Sequence, residues 1–452
     1  RYRSMLQGLN HICENGLGTV LLVSATVVSL ALANNPQTAG GWLAFWDEGV
    51  GPAVGGHVLS RKAWINEGLM ALFFFNVGLE IKKELVVGSL SSVRSALLPC
   101  IAALGGMIVP MVLYLLINLL PGGNLGGWAI PMATDIAFAM GVFSVFKSRM
   151  PPAVSPFLLT LATVDDLGAI IVIATCFAKN LQVQFLMAAA GITGALAAMG
   201  RNMVTAVSAY AAMGVSLWYA LLRAGVNADI AGVITALAIP ATKGLQVSRD
   251  PRRRMDYAIV ANGNLLDKLI HRMTPLSALL VMPLFALANT AVPLVAGGAA
   301  AAKLSMVGLG VLAGLVIGKP IGIFGLTMMA VRSGLGTLPP GMQKKHLGAV
   351  GTLGAIGFTM SIFLADVALK GFAVQDAKIG IFLASLLATG IGSAYMATFP
   401  KWNADNLLKS ASPPPASPAS PPVESPSAPS SSSEPRSPPT GATPSLAGAS
   451  GG

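Results

Sequence analysis

Two adjacent carboxylates, Asp165 and Asp166, sit within the apolar stretch TLATVDDLGAII at residues 160–171. The run around them extends from Pro152 to about Phe177 and holds no other charge. A helix rises about 1.5 Å per residue, so the run measures roughly 38 Å and exceeds the ~30 Å hydrocarbon layer of a bilayer. The pair falls halfway along it. An ionisable side chain at that depth costs about 2.5–3.5 kcal/mol even on lenient insertion scales, and such residues mark ion or proton paths. Carboxylate oxygens ligate hard cations. Neighbouring carboxylates in a low dielectric do not both ionise cheaply, so their protonation is coupled. A group that holds either a proton or Na⁺ makes the two compete, which is the minimum chemistry of an ion exchanger. On a helix the two side chains point about 100° apart, so both reach one cavity while keeping different partners.

Other residues extend this pattern. Thr134 and Asp135 lie in IPMATDIAF at 130–138, in the middle of a short span that Pro131 interrupts. Proline breaks the helical ladder, and a Thr–Asp pair satisfies the freed backbone groups. The segment is either a capped kink or an unwound stretch crossing an ion path, since irregular backbone at membrane depth must be covered by protein or line a wet cavity. Gly348, Gly351, Gly354 and Gly357 weaken a second span in the same way. Paired interrupted spans in matching places of two halves indicate inverted repeats with a site between them. Spans three to five and ten to twelve are the natural repeat units. Lys319 adjoins the stripe Gly310, Gly314, Gly318 and Gly322. That stripe allows close helix approach. A lysine at midspan requires a carboxylate partner, Asp165 above all, or the negative ends of broken helices. Glu80, Lys82, Lys83 and Glu84 cluster at the end of the second span, either as a solvated helix end or as a charged funnel mouth. Asp229 and Asp366, near span ends, are expected to be wet.

The elements that position these groups are membrane spans. The chain has 452 residues, 54% hydrophobic and 10% charged, with a mean hydropathy of +0.70. This excludes a soluble enzyme and identifies an all-α polytopic membrane protein. Twelve spans are expected, at about 16–34, 64–85, 97–120, 128–146, 152–177, 183–200, 203–222, 226–240, 274–297, 304–331, 347–369 and 377–399. Loops are expected at 35–63 and 241–273, the second strongly basic. With both termini placed in the cytoplasm, Lys and Arg favour the inner loops and terminal segments over the outer ones by three to one. The net charge of +11 therefore reports orientation and not nucleic acid. The Arg252–Arg254 run belongs to that inner excess. Cys13, Cys100 and Cys176 are expected as small core residues. Residues 1–15 read as a cytoplasmic segment, and 410–452 as a disordered Pro/Ser/Ala-rich tail.

The motifs INEGLMALFFFNVGLEIKKEL, GWAIPMATDIAFAMGV, ATVDDLGAIIVIA, MPLFALANTAV, IGKPIGI and GAIGFTMSIFLA stand in one order between about residues 10 and 399. In this the chain resembles the NhaA family of Na⁺/H⁺ antiporters. The resemblance implies an inverted-repeat fold with two discontinuous helices. It implies a transporter domain over 16–399, with core spans at 97–177 and 304–399 and interface spans at 16–85 and 183–297. It further implies Asp165 and Asp166 as the shared cation and proton site, Thr134 and Asp135 at the crossing of the unwound chains, and Lys319 as the buried lysine. Glu80, with Lys82 and Glu84, falls at the cytoplasmic funnel, where pH is sensed. Expected transport is Na⁺, and Li⁺, against H⁺, with no cofactor. The expected form is a homodimer, with contacts from the loop after the first span, in the inner or plasma membrane or in an organelle membrane.

The chain departs from the family at Asn227, where some members carry His, at Asp229, which is an added charge, and at Thr274 and His271 in the basic loop. Rival readings are a sodium-coupled symporter of an organic anion, which needs buried cationic groups beyond Lys319, and a Mg²⁺-dependent membrane enzyme, which needs its acidic pair at a span end. A passive channel is a third.

Overall fold

The computed structural model of the protein describes residues 17–54, 57–178, 181–241, 265–293 and 304–402. The expectations for residues 1–15, for Cys13, for Arg252–Arg254 and for the 410–452 tail lie outside the described residues. Among the described residues, each of the twelve apolar stretches contains helix. The first is α1 (Leu17–Asn34). A turn over Arg61–Trp64 and a π-turn over Ile65–Leu69 lead into α3 (Met70–Val86), followed by α4 (Val93–Asn118). After the interrupted fourth stretch, which ends in α5 (Ile136–Phe146), come α6 (Val154–Cys176), α7 (Val183–Arg201), α8 (Val207–Ala224) and α9 (Ile230–Ala238). Next are α10 (Leu265–Leu276) and α11 (Met282–Asn289), then α12 (Met306–Ala313) and α13 (Lys319–Arg332), then α14 (Lys344–Gly354) and α15 (Phe358–Ala368), and last α16 (Phe372–Ala397).

Among the described residues, eight helical stretches are long and apolar enough to cross a membrane, or nine when α14 and α15 count as one bent span. The other three differ in kind. The 61–86 stretch is rich in charge, α8 carries Ser, Trp, Tyr and Arg, and α9 has only nine residues. Valines and leucines along these helices are widely exposed, Val93 to 83% and Leu386 to 71% among them. That is the surface of an all-α protein solvated by lipid rather than by water.

Three features differ from the sequence expectation. Residues 35–63 form not a plain loop but α2 (Ala39–Asp47) and a hairpin of β1 (Gly49–Val54) and β2 (His57–Ser60), paired antiparallel with Gly49 opposite Ser60. Trp42 stacks on Phe45, Trp46 meets both rings edge-on, and Arg61 lies over the Phe45 ring while pairing with Glu48 at 2.6 Å. Aromatic packing between neighbouring turns is invisible in a Gly-rich composition. The ninth stretch is already helical at Leu265, so Asp267 and His271 lie on a helix. Its first turns are amphipathic, with Leu266 and Leu269 buried, and amphipathic turns dilute the apolar signal. The two described cysteines are not core residues: Cys100 is half-buried and Cys176 is exposed.

Proline sets the shape of two helices. A π-turn at Ser277–Val281 precedes Pro283, and another at Gly314–Gly318 precedes Pro320. Proline offers no N–H to the preceding turn, and a widened turn absorbs the missing bond. The second π-turn lies directly before Lys319. The glycine stripe there packs against α4. A methyl group added to Gly322 would strike the Gly105 carbonyl, and one added to Gly105 would strike the Gly322 carbonyl. Gly314 and Gly318 face Pro110 in the same way. Backbone-to-backbone contact brings Lys319 into the protein centre, where it is wholly buried.

Gly325, on the same helix, has open space where a side chain would go. Gly322→Ala should therefore lower stability by about 1–3 kcal/mol through overpacking. Gly325→Ala should leave it unchanged or raise it by about 0.5–1 kcal/mol through helix propensity. Thermal melting of the two purified variants in the same detergent checks the difference.

Candidate ion-binding site

The fourth apolar stretch unwinds where its sequence forbids helix. After 3-10 turns at Leu125–Gly127 and Ile130–Met132, the chain runs extended through Ala133 and re-enters helix at Ile136 with Asp135 as N-cap. Its counterpart breaks between Gly354 and Phe358, where α14 and α15 meet at 46°. The two breaks cross. The Asp135 N–H donates to the Ile356 carbonyl at 2.7 Å, and Ser361 Oγ donates to the Ile130 carbonyl at 3.0 Å.

Asp135 caps two helices at once. Its Oδ1 accepts from the Phe138 N–H at 3.0 Å, which closes the start of α5. Its Oδ2 accepts from the Thr359 N–H at 3.1 Å and from Thr359 Oγ1 at 2.5 Å. The residue before α15 is Gly357, which has no side chain to cap its own helix, so the cap comes from the other chain segment. Both helix N-termini carry partial positive charge, and one carboxylate answers both. Asp135 is thus both the cap of a kink and the tie between two crossed chain segments.

The opposite ends of the broken helices need donors. Thr134 Oγ1 lies 3.0 Å from the Gly354 carbonyl at the end of α14 and 2.9 Å from Asp165 Oδ2, so its single proton serves one acceptor at a time. Lys319 Nζ donates to the Met132 carbonyl and lies 3.1 Å from Asp165 Oδ2. Of the two roles open to Lys319, ion pair and compensation of a helix end, the geometry has both. Thr134, Asp135, Asp165, Asp166 and Lys319 are all buried.

Asp165 and Asp166 divide the work unequally. Asp165 spends Oδ2 on Thr134 and Lys319. Asp166, rotated about 100° away on α6, leaves Oδ1 buried without a partner among the described residues, and Asp165 Oδ1 is likewise unmatched. Buried oxygens without donors are costly unless they hold a proton or meet a cation. Among the described residues no cluster of three or more His, Cys, Asp or Glu forms a resident metal centre.

Glu80, Lys82 and Glu84 are not gathered at this crossing. Glu80 accepts from Asn76 Nδ2 at 3.0 Å, and Thr274 Oγ1 reaches Asn76 Oδ1 at 3.4 Å, linking α3 to α10. Lys82 Nζ donates to the Leu237 carbonyl at 2.8 Å and so closes the end of α9, while Glu84 accepts from the Ser89 N–H at 2.9 Å. Lys83 pairs with Asp267 at 3.3 Å.

Two sites escaped the sequence reading. Lys378 is a second buried lysine, assigned by its position to an outer loop; it pairs with the half-buried Asp366 at 2.9 Å and donates to the Asn289 carbonyl at 3.0 Å. Helix α16 starts at Phe372, earlier than hydropathy indicates, and this carries Lys378 inside. Asp229 is buried, not wet. Its place beside a nine-residue helix gave no sign of cover, because the cover comes from α3 and α6.

Comparison with known proteins agrees with this geometry. The family model described as Na+/H+ antiporter 1 matches residues 10–396. A Na(+)/H(+) antiporter NhaA of Cronobacter sakazakii is 42% identical over 388 residues, covering 85% of this chain and 95% of the relative. The NhaA of Escherichia coli O139:H28 is 40% identical over 384 residues, covering 84% and 95%. That of Aliivibrio fischeri is 38% identical over 382 residues, covering 84% and 94%. NhaA is itself a standard example of the inverted-repeat transporters with discontinuous helices at the membrane midplane. The crossed, mutually capped helix breaks and the match across nearly every described helix place this multi-pass membrane protein in the Na+/H+ antiporter 1 family.

Proposed function

We propose that the protein exchanges Na⁺, and Li⁺, for H⁺ across the membrane, with the ions taking turns at Asp165 and Asp166. One observation carries this reading: a carboxylate pair is buried beside two crossed helix breaks and Lys319, with an oxygen of each acid left unmatched. A proton on the pair removes its charge and releases the cation. Loss of the proton restores the ligand. Lys319 holds Asp165 when the cation is absent, so cation and ammonium compete for the same oxygen. The pair is sealed in this conformation, and exchange therefore requires the protein to open to each side alternately.

The core of the transporter is assigned to 97–177 and 304–399, and its interface part to 16–85 and 183–297. This division is supported by the placement of one broken helix in the middle of each core group. Both termini are placed in the cytoplasm and the protein in the bacterial-type inner membrane, on the excess of Lys and Arg in the even-numbered loops. A homodimer is supported by the hairpin after α1, whose Val50 and Val58 are exposed. Glu80, with Lys82 and Glu84, is assigned to the cytoplasmic entrance, on its place near the end of α3 and its bond to Asn76. Organic-anion symport is disfavoured because Lys378, the second buried cation, is already held by Asp366.

Asp166→Asn should abolish Na⁺-dependent proton movement in everted vesicles while the protein still inserts; normal proton-driven ²²Na⁺ flux in that variant would defeat the assignment. In the wild type, one-for-one competition makes the apparent KM for Na⁺ rise about tenfold for each unit of falling pH on the acid limb. A KM independent of pH would mean separate sites. Lys319→Ala should lower the melting temperature, because breaking a buried pair costs about 3–5 kcal/mol. An unchanged melting temperature would remove the ion pair from this account.

A further inference from the structure

Asp229 is 2% exposed, and neither of its carboxylate oxygens has a hydrogen-bond partner among the described residues. It lines a narrow crevice with Phe74, Ile170, Ile173, Ile230 and Phe363, where Asn227 is the other polar residue. The crevice holds about 170 Å³ of empty space and is too tight for a water molecule. Its α6 wall is informative. Ile170 and Ile173 follow Asp166 by four and seven residues, so they continue the helical face that carries Asp166. Seven residues span about 10 Å along the axis. The crevice therefore extends the Asp166 face toward one end of α6, and Asp229 lies at its far side.

The direction is fixed by α3. Phe74 lines the crevice, and Glu80 lies six residues further along the same helix, about 9 Å away. On the other side of Phe74 comes Glu67, the charged group within electrostatic reach of Asp229. Two acids thus flank the end of the crevice remote from Glu80, and the neighbour that acts on Asp229 is an acid rather than a base. Phe74 and Phe363, both lining the crevice, pack with ring centroids 5.3 Å apart.

We propose that Asp229 is a transit site for the transported monovalent cation on the passage joining Asp166 to the membrane face opposite Glu80, with Phe74, Phe363 and Ile170 as the apolar seal between the two acids. The inference rests on the antiport reading above. When the seal closes, as here, the acid is dry and unmatched. When it opens, water enters, and an ionised Asp229 beside Glu67 concentrates cations at that mouth. Asp229 lies outside the central pair, so it adjusts how this chain takes or releases ions at one face without replacing that pair.

The test measures Na⁺-dependent proton movement by the full chain in right-side-out and everted vesicles. Asp229→Asn should raise the apparent KM for Na⁺ at least threefold at the face nearer Asp229 and leave it unchanged at the Glu80 face, and Asp229→Glu should restore it. An equal change at both faces, or none at either, overturns the proposal. Should the Asn variant fail to insert, Asp229→Cys in a chain with Cys13, Cys100 and Cys176 replaced by Ser gives a second reading. A cationic methanethiosulfonate should label it from that one face during turnover, faster than an anionic one. Labelling from the Glu80 face, or no charge preference, overturns the proposal as well. If the wild type itself shows no Na⁺-dependent proton movement, the antiport reading falls and takes this one with it; if only the variants disagree, antiport at the central pair stands.

Discussion

A helix interrupted inside a bilayer leaves N–H groups at one stump and carbonyls at the other, with no solvent to satisfy them. Everything at the centre of this protein answers that constraint. The two interruptions are placed against each other so that the side chains of one complete the backbone of the other. Asp135 meets the donors of both α5 and α15. Thr134 and Lys319 meet the acceptors at Gly354 and Met132. Negative charge faces the positive ends of the helix dipoles and positive charge the negative ends.

This arrangement explains why ionisable groups are tolerated so deep. A lone lysine or aspartate at this depth would be expelled or neutralised. Here each is tied to a partner whose own need is equally strong, so the crossing is stable as a unit and sensitive to the loss of any member. The exception is informative. Asp166 lies beside the network, with its Oδ1 buried and unmatched among the described residues, as is Asp165 Oδ1.

The scaffold around the crossing is built for close approach. Glycines on α13 let its backbone touch that of α4, and the π-turn before Pro320 brings Lys319 round to face Asp165. On the other flank, Gly232 on α9 packs against Ala71 and Phe75, and Gly78 on α3 packs against Val233 and Ala236, so the short helix is held by contact over its length. Small residues therefore set positions, and large aromatic ones fill space: Phe74 and Phe363 line the crevice at Asp229, and Phe285 packs on Phe363. Between lipid-solvated helices packing supplies what water-driven burial cannot.

Hydropathy and composition determined the membrane class and the twelve apolar stretches, because lipid acts on average polarity over some twenty residues. That Asp165, Asp166 and Lys319 lie inside the protein, with Lys319 beside Asp165, was equally legible, since charge within such a stretch needs cover and a partner. Pro131 and the glycines from Gly348 to Gly357 announced both interruptions. What one dimension did not contain was pairing. That Asp135 caps α15, that Lys378 is enclosed and joined to Asp366, and that Asp229 is buried all depend on residues far away in the chain. Hairpin β1–β2 and the early start of α10 were missed for a related reason, as both rest on contacts between modest, mixed-polarity turns. Local sequence sets what a segment is able to do; only packing decides which buried charges find a partner and which are left unmatched.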